Sequence, residues 1–500
     1  MNEVIVAIFQ TIPFMIVIMM AALCALYAGA TIVWPRWLVY PYLALILTVT
    51  GNSYGIKELV TISVYSRGSG VLYFSATLWL VFIAYLWARF STAFSKFKPW
   101  PCNLYPWFFG WFVLLLAHMV WALIIDVPVK ESLAALGFSN IVWMVALIAL
   151  VLATFRTSVD VEGLTRFLVL FGLGRAAFGL VRWVAFGGDP ANIYANSGGA
   201  LLKLTFFDIN DSIVCMLALS ISALRLFQSK GGETNRWWRF IYWVTFFATA
   251  ACIVLSYRRT AWVGFLFGGL VLLTQVPGNR RVQAFLLAVP VSVAAMAYGA
   301  WKRLSQTRGA GGLEAFFFDV QTNRLGVDTP RMLELKLAFG DFLTNPVFGI
   351  GAWGRYTGNQ LIAWQDGEAA GGFVHSGVLH VAFKAGLVGL ALLLGLYFAY
   401  FKFIRATYRT VDESRRPLYF AGFASVVMML PDMLIGTPIP QVRTMQMFAL
   451  CLALPYLAFA VSGKARAEPQ LKPAALRLSP PHDNPLGSKH FAPIRFQPSS

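Results

Sequence analysis

The chain has 500 residues, of which 58% are hydrophobic and 12% charged, and its mean hydropathy is +0.66. A soluble domain carries about a quarter charged residues, so this composition excludes a protein solvated mainly by water. The formal charge of +18 raises the question of nucleic acid, but the Lys and Arg residues are scattered in short groups between apolar runs. That spacing serves orientation in a bilayer and argues against a nucleic-acid partner.

Apolar runs able to cross ~30 Å of hydrocarbon, flanked by interfacial Trp and Tyr, predict helices over residues 5–32, 38–52, 71–87, 106–125, 139–155 and 165–186. Further spans are expected over 207–226, 238–256, 260–275, 282–300, 375–403, 416–434 and 443–461. The expected fold is an all-α polytopic membrane protein with about 12–13 transmembrane helices and one large loop, roughly residues 302–373. The first run follows Glu3 with no basic residue before it and no small-residue cleavage site after it, so a retained N-terminus is expected. One membrane domain, 1–462, is expected to end in a basic, Pro-rich, disordered tail, 463–500.

Basic loops follow in alternation: Arg89, Lys96 and Lys98; Arg156 and Arg166; Lys230 and Arg236; Arg280 and Arg281; Lys402 to Arg416. If these are cytoplasmic, the tail is too, and the long loop faces outward. Within that loop Leu333 to Leu343 has the pattern of a short amphipathic helix. Cys24, Cys215, Cys252 and Cys451 fall in apolar runs and Cys102 at the edge of one, so no disulfide is expected in the long loop. Without CxxC or clustered His and Cys, no zinc site is expected either.

Candidate chemistry gathers at the outward ends. Leu255 to Trp262 places Arg258 and Arg259 in a tight turn between two spans. Paired basic groups at a helix end serve as topogenic anchors, but anchors belong inside, and a guanidinium outside can hold phosphate oxygens bidentately. His375 sits where the long loop enters the next helix, one of five histidines in the chain. An imidazole with a pKa near ~6.5 can take the proton of an attacking sugar hydroxyl; the structural alternative is a helix-capping or loop-packing histidine. His118 reads as a packing residue within a span, and His380 lies about 140° round the helix from His375, too far for a shared metal. Arg175 and Arg182 share a face of the sixth span, Arg182 near its outer end and Arg175 deeper, facing a polar cavity or a partner. Asp208 is suited to capping the following helix, and Lys203 just before it is a candidate phosphate contact.

Three pieces of this sequence resemble the O-antigen ligase-related family: Ser256-x-x-Arg259-x-Ala261; Pro330-Arg331 through Asn345-Pro346-x-x-Gly349-x-Gly351; and His375-x-x-x-Leu379 followed by Gly386-Leu387-Val388-Gly389. Asp208-Ile209-Asn210 is a weaker fourth, and together they cover about residues 203–390 in the family's order. The resemblance implies a GT-C-like, metal-independent glycosyltransferase of the inner membrane with a periplasmic active site and no cofactor. It implies a glycan donor on undecaprenyl diphosphate and an acceptor that is a lipid A core, a growing chain or a protein. Arg259 would match the family's diphosphate-holding arginine, Arg331 the arginine opening the amphipathic segment, and His375 the base beside the acceptor. Lys203 stands where an arginine is usual, which keeps the charge, and Arg258 adds one. Lys384 replaces an acidic residue after the histidine, which leaves the orientation of His375 unassigned. That departure and the basic tail favour a polysaccharide polymerase or exopolysaccharide role over a plain ligase. A transporter or flippase of lipid-linked saccharide is the alternative of a different class, and it would place Arg175 and Arg182 along a passage.

Overall fold

The computed structural model describes residues 36–49, 65, 74–94, 100–188, 204–206, 208–227, 235–278, 280–282, 286, 293, 294, 297, 298, 301, 328–359 and 372–467. The expected span over 5–32, most of 282–300, Lys203 and the tail beyond 467 lie outside the described residues. Every described element is helical: α1 Arg36–Thr48, α2 Ala76–Phe94, α3 Tyr105–Ile124, α4 Ser139–Thr154, α5 Ser158–Ala185, α6 Ile209–Phe227, α7 Arg236–Val254, α8 Arg259–Gln275, α9 Asp328–Thr344, α10 Gly377–Thr407, α11 Arg416–Ile435 and α12 Val442–Ala467, with a single turn at Val129–Ser132. Among the described residues seven helices are long and apolar enough to cross a membrane, α3, α5, α6, α7, α10, α11 and α12, with shorter apolar helices at Trp37–Thr48, Ala76–Phe90 and Ser139–Thr154.

The distribution of side chains is that of a membrane protein. Large apolar groups such as Ile83, Leu86, Phe109, Phe112, Val120 and Leu123 stay exposed on α2 and α3, where lipid is their solvent. Polar groups turn inward, and α6, packed against α5, α7 and α11, is enclosed by its neighbours. Helix α5 starts at Ser158, a full turn and more before the expected 165, because Thr157 and Asp160 form a capping box ahead of the apolar run. Charge marks that end of the bundle as well: Glu162 lies 3.1 Å from Arg166 and 3.9 Å from Arg415.

The opposite ends of the helices meet in one layer. Gly137, just before α4, accepts from His380 in the first turn of α10 at 2.9 Å, while Asn140 at the start of α4 donates to Ile439 ahead of α12 at 2.9 Å. Thr205, before α6, donates its amide to Leu255 at the end of α7 at 3.1 Å. Helices α8 and α11 approach closely through Gly264 and Gly268: a Cβ on Gly264 would stand 2.2 Å from the Met428 carbonyl oxygen.

Helix α10 is broken at Gly386, with φ 62° and ψ −158°. The break strands backbone groups that lipid cannot satisfy, and the loop after α9 satisfies them. Ile350 and Gly351 donate to the carbonyls of Phe383 and Lys384 at 3.0 and 3.2 Å, and Leu387 and Val388 donate to those of Pro346 and Val347 at 2.7 and 3.2 Å. The Asn345-to-Gly351 and Gly386-to-Gly389 segments are therefore two halves of one joint. On this joint sits a small second core of Ala338, Tyr356, Val374 and Phe383, with Leu333, Leu337 and Leu379 packed around it. It docks the amphipathic α9, longer than the expected Leu333 to Leu343, against the top of α10.

Gly386→Ala tests the joint. The conformation is one that L residues rarely adopt and costs about 1–3 kcal/mol, and a Cβ would lie 2.3 Å from the Val347 carbonyl oxygen. The expected result is a loss of at least about 2 kcal/mol, read as a lower thermal midpoint in detergent; an unchanged midpoint would mean that α10 closes without the break.

Candidate active site

The turn between α7 and α8 is built by its non-basic residues. Tyr257 takes φ 53°, a left-handed conformation that is strained for a bulky side chain. The Ser256 hydroxyl donates to the Ile253 carbonyl at 2.7 Å and accepts the Arg258 amide at 3.4 Å, while the Trp262 indole donates to the Val254 carbonyl at 2.9 Å. Tyr257 is buried with Leu204 and Trp262, and that burial, with Tyr298 second, pushes its phenol above the ordinary range. Serine, tyrosine and tryptophan thus shape the turn, and Arg258 and Arg259 are left at the amino end of α8. Guanidinium groups at the positive end of a helix need anions nearby. Asp432, buried near the end of α11, supplies one at 3.5 Å from Arg258.

His375 stands at the same end of the bundle. A Cβ on Gly377 would lie 3.0 Å from the carbonyl oxygen of Met433, the residue after the partner of Arg258. The cap of α10 is Ser376, whose hydroxyl accepts from Leu379 at 3.2 Å, so His375 does not perform the capping role open to it in the sequence. Its Nδ1 lies 2.7 Å from Oε2 of Glu334, and its backbone amide donates to the same oxygen at 3.2 Å. Glu334 is 0% exposed and His375 21%. A carboxylate on Nδ1 fixes the tautomer that donates there, which makes Nε2 the proton-accepting nitrogen. Tyr356 adjoins this pair: burial, then the Glu334 carboxylate beside it, push its phenol well above the ordinary range.

The other expected site residues fall around this end. Arg331 lies three residues before Glu334 on α9, a spacing that sets the two on one face. Arg182 is buried, donates to the Thr205 carbonyl at 2.7 Å and lies over the Phe178 ring. Arg175 meets a partner, Asp211, in a bidentate pair at 2.9 Å for both bonds. Asp208 accepts the Asn210 amide at 3.2 Å, as a capping residue does, and also pairs with Arg443 at 3.3 Å. Arg443 joins the two aspartates, reaching Asp211 at 2.9 Å and donating to the Ile46 carbonyl at 2.8 Å. Lys384 places its ammonium on the carbonyls of Ala352 and Gly354. Among the described residues no group of three or more His, Cys, Asp or Glu could hold a metal ion.

Residues 244–394 match the family model described as O-Antigen ligase. They form an O-antigen ligase-related domain. A comparison with curated proteins gives no match. The O-antigen ligase-related domain runs from α7 into α10 and contains the arginine turn, Arg331, Glu334, His375 and the joint at Gly386. The helices carrying Arg175, Arg182, Asp211, Asp432 and Arg443 lie outside it.

Glu334, Asp432 and Arg443 were missed by the sequence reading. Glu334 is a buried carboxylate in a leucine-rich helix, and no local pattern names its partner. Arg443→Leu would leave Asp211 and Asp208 with one guanidinium fewer in a buried network. The expected cost is about 3–5 kcal/mol, measured by thermal unfolding of detergent-solubilised protein; a cost below about 1 kcal/mol would show that Arg175 alone compensates Asp211.

Proposed function

We propose that this membrane protein is a metal-independent glycosyltransferase of the inner membrane. It moves a glycan from an undecaprenyl diphosphate carrier to an acceptor hydroxyl on the periplasmic side, as a polysaccharide polymerase or an O-antigen ligase. The observation that carries the reading is the 2.7 Å contact between Nδ1 of His375 and the buried Glu334 carboxylate, at the bundle end that also bears Arg258 and Arg259. The O-antigen ligase match across these residues supports it independently.

The chemistry asked of the protein is limited, since the donor's anomeric carbon already bears a diphosphate leaving group. The acceptor oxygen bonds to that carbon as the bond to the diphosphate oxygen breaks, and the electron pair departs with the diphosphate. The acceptor's proton passes to Nε2 of His375, while Glu334 holds the ring and stabilises the imidazolium that forms. Direct displacement inverts the anomeric centre. Arg258 and Arg259 balance the charge growing on the diphosphate, with Arg182, Arg331 and Lys203 as further positive groups around the carrier. A transporter would need its deep arginine in a passage; Arg175 is 5% exposed and closed onto Asp211.

Purified protein with lipid-linked donor in EDTA tests the scheme. Transfer is expected to survive chelation, His375→Ala is expected to lose about 10²–10⁴-fold, and Glu334→Gln about 10–100-fold. Normal transfer by His375→Ala, or a strict metal requirement, would defeat it. Deletion separates the two roles: single-repeat glycan is expected for a polymerase, and an uncapped core with intact free polymer indicates a ligase.

A further inference from the structure

A second feature of this end of the bundle takes no part in the scheme above. An open cleft of ≈ 540 Å³ lies between the segment after α3, the far end of α9 and the loop that follows it. Its wall carries Asp126, Glu131 and Asp341, one arginine, Arg355, and the indole of Trp353.

Four observations say what it fits. The first is position: Asp341 follows Glu334 by seven residues on α9, which sets it within about 20° of the same face and about 10 Å further along. One helix therefore runs from the dyad to the cleft. The second is charge, since three carboxylates against one guanidinium repel phosphate and accept hydrogen bonds from hydroxyls, each carboxylate offering two oxygens. The third is the indole, half-buried and held at steep angles against Trp121 at 5.3 Å and His118 at 6.1 Å. A ring held in this way offers a fixed apolar face to the C–H side of a sugar. The fourth is a formed floor. Lys384 ties down the carbonyls of Ala352 and Gly354, His118 accepts the Ala352 amide at 3.1 Å, and Asp341 accepts the Thr357 amide at 2.6 Å.

We propose that this cleft binds the acceptor, a neutral saccharide chain whose terminal hydroxyl reaches His375 along α9. The delivery to His375 rests on the glycosyltransferase reading; the binding itself does not. The acidic wall selects against a phosphorylated core and for a growing neutral chain, so the cleft belongs to a polymerase. The donor's glycan shares the chemistry of the acceptor's, and kinetics tell the two apart.

The test uses the full chain in nanodiscs and, as probe, lipid-free neutral repeat-unit oligosaccharides cut from the producing cell's own polysaccharide, with binding read by saturation-transfer NMR. Trp353→Ala and Glu131→Gln are each expected to weaken binding at least five-fold, and His375→Ala to leave it within two-fold. A phosphorylated form of the same oligosaccharide is expected to bind wild type at least five-fold more weakly, a gap that Glu131→Gln narrows. In turnover, the two cleft variants are expected to raise KM for the acceptor at least five-fold more than KM for the donor. Wild-type binding in both variants, equal binding of the phosphorylated form, or a larger rise in donor KM would each overturn the proposal. Transfer by His375→Ala would sink the glycosyltransferase reading, yet probe binding lost in Trp353→Ala would still uphold the cleft.

Discussion

A helix broken inside a membrane must find partners for its stranded amides and carbonyls, and here a single loop supplies them. The four backbone bonds between residues 346–351 and 383–388 hold the loop to α10, and everything beyond it inherits its position from that contact. Helix α9 is placed because the loop is placed, and Glu334 meets the segment before α10 because α9 is placed. Glycine at 386 allows the break, and glycine at 349, with φ 71°, lets the loop come against it; a Cβ there would lie 2.5 Å from the Lys384 carbonyl carbon.

Electrostatics does for the bundle what hydrogen bonding does for the joint. Asp211 is shared by Arg175 and Arg443, and Asp208 takes the remaining side of Arg443, so α5, α6 and α12 are tied by charge where water is scarce. Such groups are costly singly and tolerable as a closed set. Asp432 and Arg258 repeat the arrangement between α8 and α11, in a more open setting, since Arg258 is not fully buried.

Much of the fold is legible in the sequence because hydrocarbon imposes a length on every span. The ends of α3, α4, α6, α7, α8 and α11 fall within about two residues of the apolar runs, and α5 departs because a capping box extends it beyond them. Short-range chemistry is legible too: the turn at Ser256 and the joint segments appear as compact motifs. Pairing across the chain is not. Glu334 lies 41 residues from His375, and among the other charges of the loop nothing local sets it apart. Arg443 lies 232 residues from Asp211. Lys384 replaces an expected acid and still leaves the histidine oriented, because Glu334 on α9 holds the ring and the lysine turns to backbone carbonyls.

The close approach of α8 to α11 through Gly264 governs mechanics as well as packing. With backbone against backbone there is no slack between these helices, and Met433 on α11 in turn abuts Gly377. The arginine turn and the start of α10 are thus mounted on one support and shift together. The α9 arm is tied to the same support by its joint with α10 and by the contact of Glu334 with His375.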